Sequence, residues 1–204
     1  MKIIKQSLKV IDDLVLFLKK GAVIICPTDT VYGFLADATN KKAVDKIFKI
    51  KKRSKLKPLP VFVKNIKMAR EVAYIDEPAF VPLKSGLRRG KQEKILKKYW
   101  PGKYTFILKR KSGVELYGVN KNTIAIRIPK YKFLNDLLKK INKPLVQTSV
   151  NISGEPFLIK IGDIKAKFGQ LKFKIIIIDA GNLKKSKPSK IIDLTSKNKK
   201  ILRK

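Results

Sequence analysis

PTDTVYG, residues 27–33, separates two apolar runs, AVIIC (22–26) and FLADA (34–38). Pro27 turns its predecessor away from helix, so AVIIC predicts a short buried strand that ends there. Asp29 and the two threonines can hydrogen-bond to nearby backbone, and Gly33 can take a positive φ. A nearly uncharged segment in a lysine-rich chain therefore predicts a shaped turn. Such a turn needs no ligand, yet open α/β sheets bind ligands outside the carboxyl ends of their strands.

Working outward, SLKVIDDLVLFLKK (7–20) sets Leu8, Ile11, Val15 and Leu18 at helical spacing, with Gly21 as a stop. Downstream, Asn40 is a candidate N-cap for a helix with Ala43, Val44, Ile47 and Phe48 on its apolar face. LPVFV (59–63) predicts the next strand, so the first third alternates helix, strand, helix, strand. The middle, from IDEP to WPG, is broken by Pro and Gly, with helix predicted near Ile95–Trp100. YTFILKR (104–110) and TIAIRIP (123–129) predict strands, YKFLNDLLKKI (131–141) an amphipathic helix, and PLVQTS (144–149) a strand. NISGEP is a loop, KIIIIDAG (174–181) and KIIDLT (190–195) are strands, and ILRK is a tail. No repeat or long linker divides the chain. The expectation is one α/β domain over residues 1–204: a twisted mixed sheet, flanking helices and a basic concave cleft where strand-end loops gather.

Composition narrows the chemistry. The 204 residues are 44% hydrophobic, enough for a core, and carry a formal charge of +34. Seven of the 49 basic residues are Arg. The lysines are spread along the chain rather than blocked, which favours a general lysine bias over a dedicated polyanion surface. The absence of His excludes a Ser-His-Asp triad and His-based zinc sites. The single Cys26 allows no internal disulfide and reads as a small buried hydrophobe in a reducing compartment. No apolar run has the ~20 residues of a membrane span, and the early acids of MKIIKQSLKVIDD do not suit a secretory signal. A cytoplasmic protein is expected.

Three further stretches carry candidate chemistry. GLRRGKQ (86–92) imitates a phosphate loop, but it is one residue short between its glycines and ends in Gln rather than Ser or Thr, so it is set aside. KKRSKLKPL (51–59) places Lys51, Arg53 and Lys57 around the end of a helix and the entry to a strand. The cations suit the helix dipole there, and they can equally form an anion clamp. TSVNISGEP (148–156) offers hydroxyl and amide groups after a strand, for the loop itself or for a nucleotide. Arg127, at the end of TIAIR, taken alone reads as a surface charge.

Taken in order, PTDTVYG, Lys51-x-Arg53, Lys57-Pro58-Leu59, WPGKYTFIL, TIAIRIP, PLVQTSVNISGEP and the closing KPSKIIDLT with ILR resemble the YrdC/TsaC family of threonylcarbamoyl-AMP synthases, in its single-domain form. The resemblance implies an enzyme that turns ATP, L-threonine and bicarbonate into threonylcarbamoyl-AMP and pyrophosphate for the t6A modification of tRNA, with Mg²⁺ accompanying ATP. It implies that Lys51 and Arg53 are catalytic, and that Arg53, Lys57, Thr123, Ser149, Asn151 and Arg203 bind ATP. Thr30, Arg127 and Ser189 bind L-threonine, Arg127 through the carboxylate. It further implies a downstream threonylcarbamoyl-transfer machinery, possible tRNA contact and no protein-held metal or membrane. Such chemistry asks for cations and alignment rather than a histidine base. Three positions depart from the pattern: Phe62 stands where many members have His, Val150 where Ala is usual, and Lys190 where Thr is common. The competing expectation is a basic YrdC-like module that binds RNA without synthase activity.

Overall fold

The computed structural model describes residues 2–76, 90–171, 173, 175–196 and 200–203. Among these, ten strands form one mixed sheet: β1 (Lys2–Lys5), β2 (Val23–Cys26), β3 (Gly33–Asp37), β4 (Val61–Phe62), β5 (Tyr104–Lys109), β6 (Thr123–Arg127), β7 (Leu145–Ser149), β8 (Ile175–Asp179), β9 (Lys190–Asp193) and β10 (Lys200–Arg203). Their order is β1-β8-β2-β3-β7-β4-β6-β5-β9-β10. The six α-helices are α1 (Ile11–Lys19), α2 (Lys41–Ile50), α3 (Ile66–Val72), α4 (Lys91–Tyr99), α5 (Lys132–Ile141) and α6 (Ile161–Phe168).

The PTDTVYG turn does more than end a strand. It folds the chain back, so that β3 runs antiparallel to β2 with Cys26 opposite Gly33. FLADA, an apolar run in the sequence, belongs to a central strand that is buried along its whole length. β1, β10 and α6 were also not anticipated. β1 and β10 are four-residue strands, each at one end of the sheet order, and edge strands carry weaker hydrophobic signals than central ones. The 7–20 helix begins as a 3-10 turn capped by Ser7, which leaves Leu8 exposed, and Leu14 joins Ile11, Val15 and Leu18 inside. Only Val61 and Phe62 of LPVFV form a regular strand; Pro60 has no N–H to give, though its carbonyl accepts from the Gln147 N–H and the Val63 N–H donates to Arg127 O. Asn40 accepts from the Ala43 N–H as an N-cap should, and Gly21 takes φ +75° after α1. The phosphate-loop imitation falls on 86–89, outside the described residues, up to Gly90.

Side chains alternate across the strands, and the alternation divides the core in two. Val23, Ile25, Phe34, Ala36, Phe106, Ile124, Ile126, Val146, Ile175 and Ile177 face a core shared with α2, α3, α4 and α6. Ile24, Cys26, Leu35, Phe62, Leu145, Ile176 and Ile178 face a second core under α1 and α5. That second core stops at Phe62 and Leu145. Beyond them the same face of β5, β6, β7 and β9 lines an open cleft.

Gly118 fixes the entry to β4. Its carbonyl accepts from the Leu59 N–H at 2.7 Å. Its φ is +71°, and a Cβ there would lie 2.6 Å from Val44 Cγ1. Gly118→Ala combines left-handed strain with overpacking, so we expect a loss of about 2–4 kcal/mol in a urea titration. A change under about 0.5 kcal/mol would contradict this account of the turn.

Candidate functional site

The cleft has a volume of about 400 Å³. Its floor is a small grid set by strand register. Phe62 pairs with both Leu145 and Arg127, which defines one row. Two residues further along each strand lie Gln147, Pro60 and Ala125, with Ile107 opposite Ala125. Two more bring Ser149, Pro58 and Thr123. The cleft thus runs from a guanidinium row through a mostly apolar middle to a hydroxyl row.

Arg127 is the anchor of the first row. The isolated sequence suggested a surface charge; in the structure it is 2% exposed. Its Nε donates to Gly102 O at 2.9 Å, Nη2 to Asp29 Oδ1 at 2.5 Å, and Nη1 to Thr30 Oγ1 at 3.4 Å. The guanidinium also lies 5.7 Å from the centre of the Phe62 ring, within cation–π range. Burial pulls its pKa down, while the Asp29 carboxylate acts in the opposite sense. Asp29 is itself held by the Lys130 N–H at 3.1 Å. Two elements make this possible. The Thr28 hydroxyl accepts from the N–H groups of Thr30 and Val31 and donates to Val31 O, which fixes the 28–31 turn. Gly102 has no side chain because a Cβ would sit 2.7 Å from Tyr99 O.

Two more guanidiniums enter the same cleft. Arg53 is fastened to the loop behind it, Nε to Lys57 O at 2.9 Å and Nη2 to Pro58 O at 3.1 Å. Arg203, from the end of β10, donates through Nε to Ser189 O at 2.7 Å and through Nη2 to Ser189 Oγ at 3.0 Å. Partial burial lowers the pKa of both, and the charge of Arg127 adds to the effect on Arg203. Ser189 Oγ is also 2.9 Å from Thr105 Oγ1. No Asp or Glu is among the described residues that line the cleft. Of the described carboxylates beside that lining, Asp29 is engaged with Arg127 and Asp193, opposite Ile107 in register, accepts from the Thr195 N–H and hydroxyl, so the lining itself keeps a strong attraction for anions.

Of the ten residues expected to form the site, seven line this cleft: Thr30, Arg53, Thr123, Arg127, Ser149, Ser189 and Arg203. Lys51, Lys57 and Asn151 do not. Lys51 is 2% exposed. Its three N–H bonds go to Ser149 O (2.6 Å), Asn151 O (2.8 Å) and Asn151 Oδ1 (2.6 Å), and the ammonium lies over the Phe34 ring. It shapes the 149–151 loop from beneath. Asn151 Oδ1 also accepts from Ser149 Oγ, and its Nδ2 donates to Glu155 O. Lys57 gives the loop its carbonyl, while its side chain is exposed. The cleft residues not expected from the sequence include Asn120, Gln147 and Phe157. Gln147 was readable, since period-two alternation from Ser149 puts it on the same face.

Burial and, secondarily, Arg53 lower the Lys51 ammonium from 10.5 to about 7, while its three oxygen partners favour the charged form. A group with a depressed folded pKa of this kind carries the full cost of its buried charge below about 7. That cost is relieved as pH rises towards the unfolded value, where the unfolded chain still binds the proton. The stability of wild type relative to Lys51→Met is therefore expected to rise between about pH 7 and pH 10, followed by urea titration. A difference that falls over this range would contradict the assignment.

The Sua5_yciO_yrdC family model, described as "Telomere recombination", matches residues 16–204. A Methanocaldococcus jannaschii protein provisionally named a threonylcarbamoyl-AMP synthase is 38% identical over 182 residues, 87% of this chain and 79% of the relative. A threonylcarbamoyl-AMP synthase of Blochmanniella pennsylvanica is 31% identical over 183 residues, 89% of this chain and 88% of the relative. Among solved structures, Pyrococcus abyssi Sua5 complexed with L-threonine superposes with a TM-score of 0.81 at 27% identity, over 99% of this chain. This chain spans 56% of that protein's length. The family match runs through every strand of the cleft floor, and this chain belongs to the Sua5/YciO/YrdC family.

Proposed function

We propose that this chain is a threonylcarbamoyl-AMP synthase, a nucleotidyltransferase that joins L-threonine, bicarbonate and ATP. The observation that carries the reading is three guanidiniums, Arg53, Arg127 and Arg203, converging with Ser149 on one cleft whose described lining holds no carboxylate. Curated relatives at 31% and 38% identity bear the synthase name, and a solved relative binds L-threonine.

In this reading the threonine carboxylate pairs with the N–H groups that Arg127 has left after Gly102, Asp29 and Thr30, with Thr30 and Ser189 alongside. The ATP phosphates lie towards Ser149 and Arg53, with Arg203 reaching them from the Ser189 side, Asn151 holding Ser149 from behind the lining, Lys57 at the mouth and Thr123 near the nucleoside. The threonine amine and bicarbonate condense to a carbamate and water. A carbamate oxygen then forms a bond to the α-phosphorus as the bond to the β-phosphate oxygen breaks and pyrophosphate leaves. The chain contributes alignment and charge stabilisation rather than a covalent intermediate. Lys51 acts through the loop it shapes. In this reading Mg²⁺ accompanies ATP as the MgATP substrate and would neutralise phosphate charge there. The whole chain, 1–204, works as one domain in the cytoplasm and hands its product to a threonylcarbamoyl-transfer machinery acting on tRNA. Among the described residues, no helix is long and apolar enough to cross a membrane.

The test is pyrophosphate release with MgATP and bicarbonate, with and without L-threonine. Release that requires threonine supports the reading, and release indifferent to threonine, or none, overturns it. Tight tRNA retention at ~0.2 M salt without synthase activity would favour an RNA-binding module instead.

A further inference from the structure

We infer that Gln147 is a substrate-contacting residue that binds the carbamate, the group joining the amino acid to the nucleotide. The inference rests on the synthase reading and deepens it.

Three observations lead there. First, Gln147 is the polar side chain of the middle row that lines the cleft; Pro60, Ala125 and Ile107 line it beside Gln147, while Asp193, next in register after Ile107, lies outside the lining. Second, its carboxamide makes no hydrogen bond to any described residue. Its backbone N–H is committed to Pro60 O at 2.9 Å, but the side chain keeps both an acceptor and two donors unspent. By contrast, Arg127 already gives three N–H groups to oxygens and Ser149 Oγ is bonded to Asn151 Oδ1. Third, Gly33 leaves the space this carboxamide borders. A Cβ at Gly33 would stand 3.6 Å from Thr28 Cγ2 and 4.0 Å from Gln147 Oε1. The end of the PTDTVYG turn is thus bare where Gln147 reaches towards it.

Position gives the ligand chemistry. Adjacent same-face rows are about 7 Å apart along a strand. Gln147 lies one row from Arg127, the proposed partner of the amino-acid carboxylate, and one row from Ser149, at the phosphate end. A substrate pair spanning the cleft places its new carbamate between those ends. A carbamate presents anionic oxygens and one N–H, and a carboxamide answers both, donating from Nε2 and accepting at Oε1. Neutrality matters as well. A cation here would hold charge on the carbamate that the attack on phosphorus must use, and a carboxylate would repel it. A neutral amide orients the nucleophile without either penalty.

The test uses Gln147→Met, which keeps length and removes the polar atoms, and Gln147→Asn, which withdraws them by one carbon. Pyrophosphate release is measured against bicarbonate concentration for wild type and both variants side by side. Calorimetric Kd values for L-threonine and for a non-hydrolysable ATP analogue, and the Tm, are recorded with it. Losing one or two hydrogen bonds to a charged group predicts that kcat/KM for bicarbonate falls about 10- to 100-fold. Both Kd values should stay within about threefold, as expected if neither ligand alone meets the carboxamide, and Tm should hold, because no described partner is orphaned. An unchanged bicarbonate dependence in both variants overturns the assignment to Gln147 while leaving the synthase reading intact. So does a loss of ATP-analogue affinity as large as the loss in kcat/KM. If wild type itself shows no threonine-dependent release, the synthase reading fails, and this inference with it.

Discussion

Arg127→Ala is expected to abolish threonine-dependent pyrophosphate release and to destabilise the fold by about 3–5 kcal/mol. Both effects follow from one geometry. The guanidinium and the Asp29 carboxylate are 2% and 7% exposed and 2.5 Å apart. Removing the cation leaves Asp29 buried with only the Lys130 N–H, and it frees Gly102 O and the 28–31 turn from their shared tether. The two losses can be separated. Pairing Arg127→Met with Asp29→Asn removes the stranded charge, so stability should recover by about 2 kcal/mol or more over Arg127→Ala. Activity should not return, because the carboxylate of the amino acid still lacks its fork. Thermal or urea unfolding read beside the pyrophosphate assay checks both halves. Recovery of activity in the double variant would show that Arg127 serves the fold alone.

Arg53→Ala is expected to behave differently: activity falls by about 10²–10³-fold while stability changes by less than about 1 kcal/mol. Arg53 is half-buried and, among the described residues, its side chain bonds to the carbonyls of Lys57 and Pro58, which water can serve once the side chain is gone. Arg53 lines the same cleft as Ser149, where in the proposed reaction phosphate charge develops in the transition state. The two arginines therefore form a contrast, one holding fold and substrate together, the other acting on substrate alone. Equal destabilisation by the two alanine variants would contradict it.

Much of this arrangement is legible in the sequence, for physical reasons that differ by element. The helix α2 and the strand β2 announce themselves because period and caps agree with burial: Asn40 caps, and Val44, Ile47 and Phe48 bury. The turn at 27–33 was readable as a turn, but its return into β3 was not, since an antiparallel hairpin and a helix crossover begin alike at a strand end. Arg127 was misread in isolation because strand-end position says nothing of what folds over it; Phe62, Gly102 and Asp29 come from three distant parts of the chain. Phe62, noted for standing where a histidine is common, belongs to the second core and supports the guanidinium with its face. Lys51 shows the converse. Its place beside Arg53 suggested a phosphate ligand, whereas three oxygens of the 149–151 loop occupy its ammonium. Loop-to-loop bonds of that sort, across a hundred residues, leave no local pattern. Gln147 was within reach of simple alternation, though nothing in its residue type marked it out beside Thr148 and Ser149.

The most direct test of the account is the mass of the product formed from ATP, L-threonine and ¹³C-bicarbonate. The account predicts an adduct of AMP and threonine joined through a carbonyl that carries the label, formed with one pyrophosphate each. AMP or ADP without a threonine-containing adduct, or an adduct that forms without taking up the labelled carbon, would contradict it.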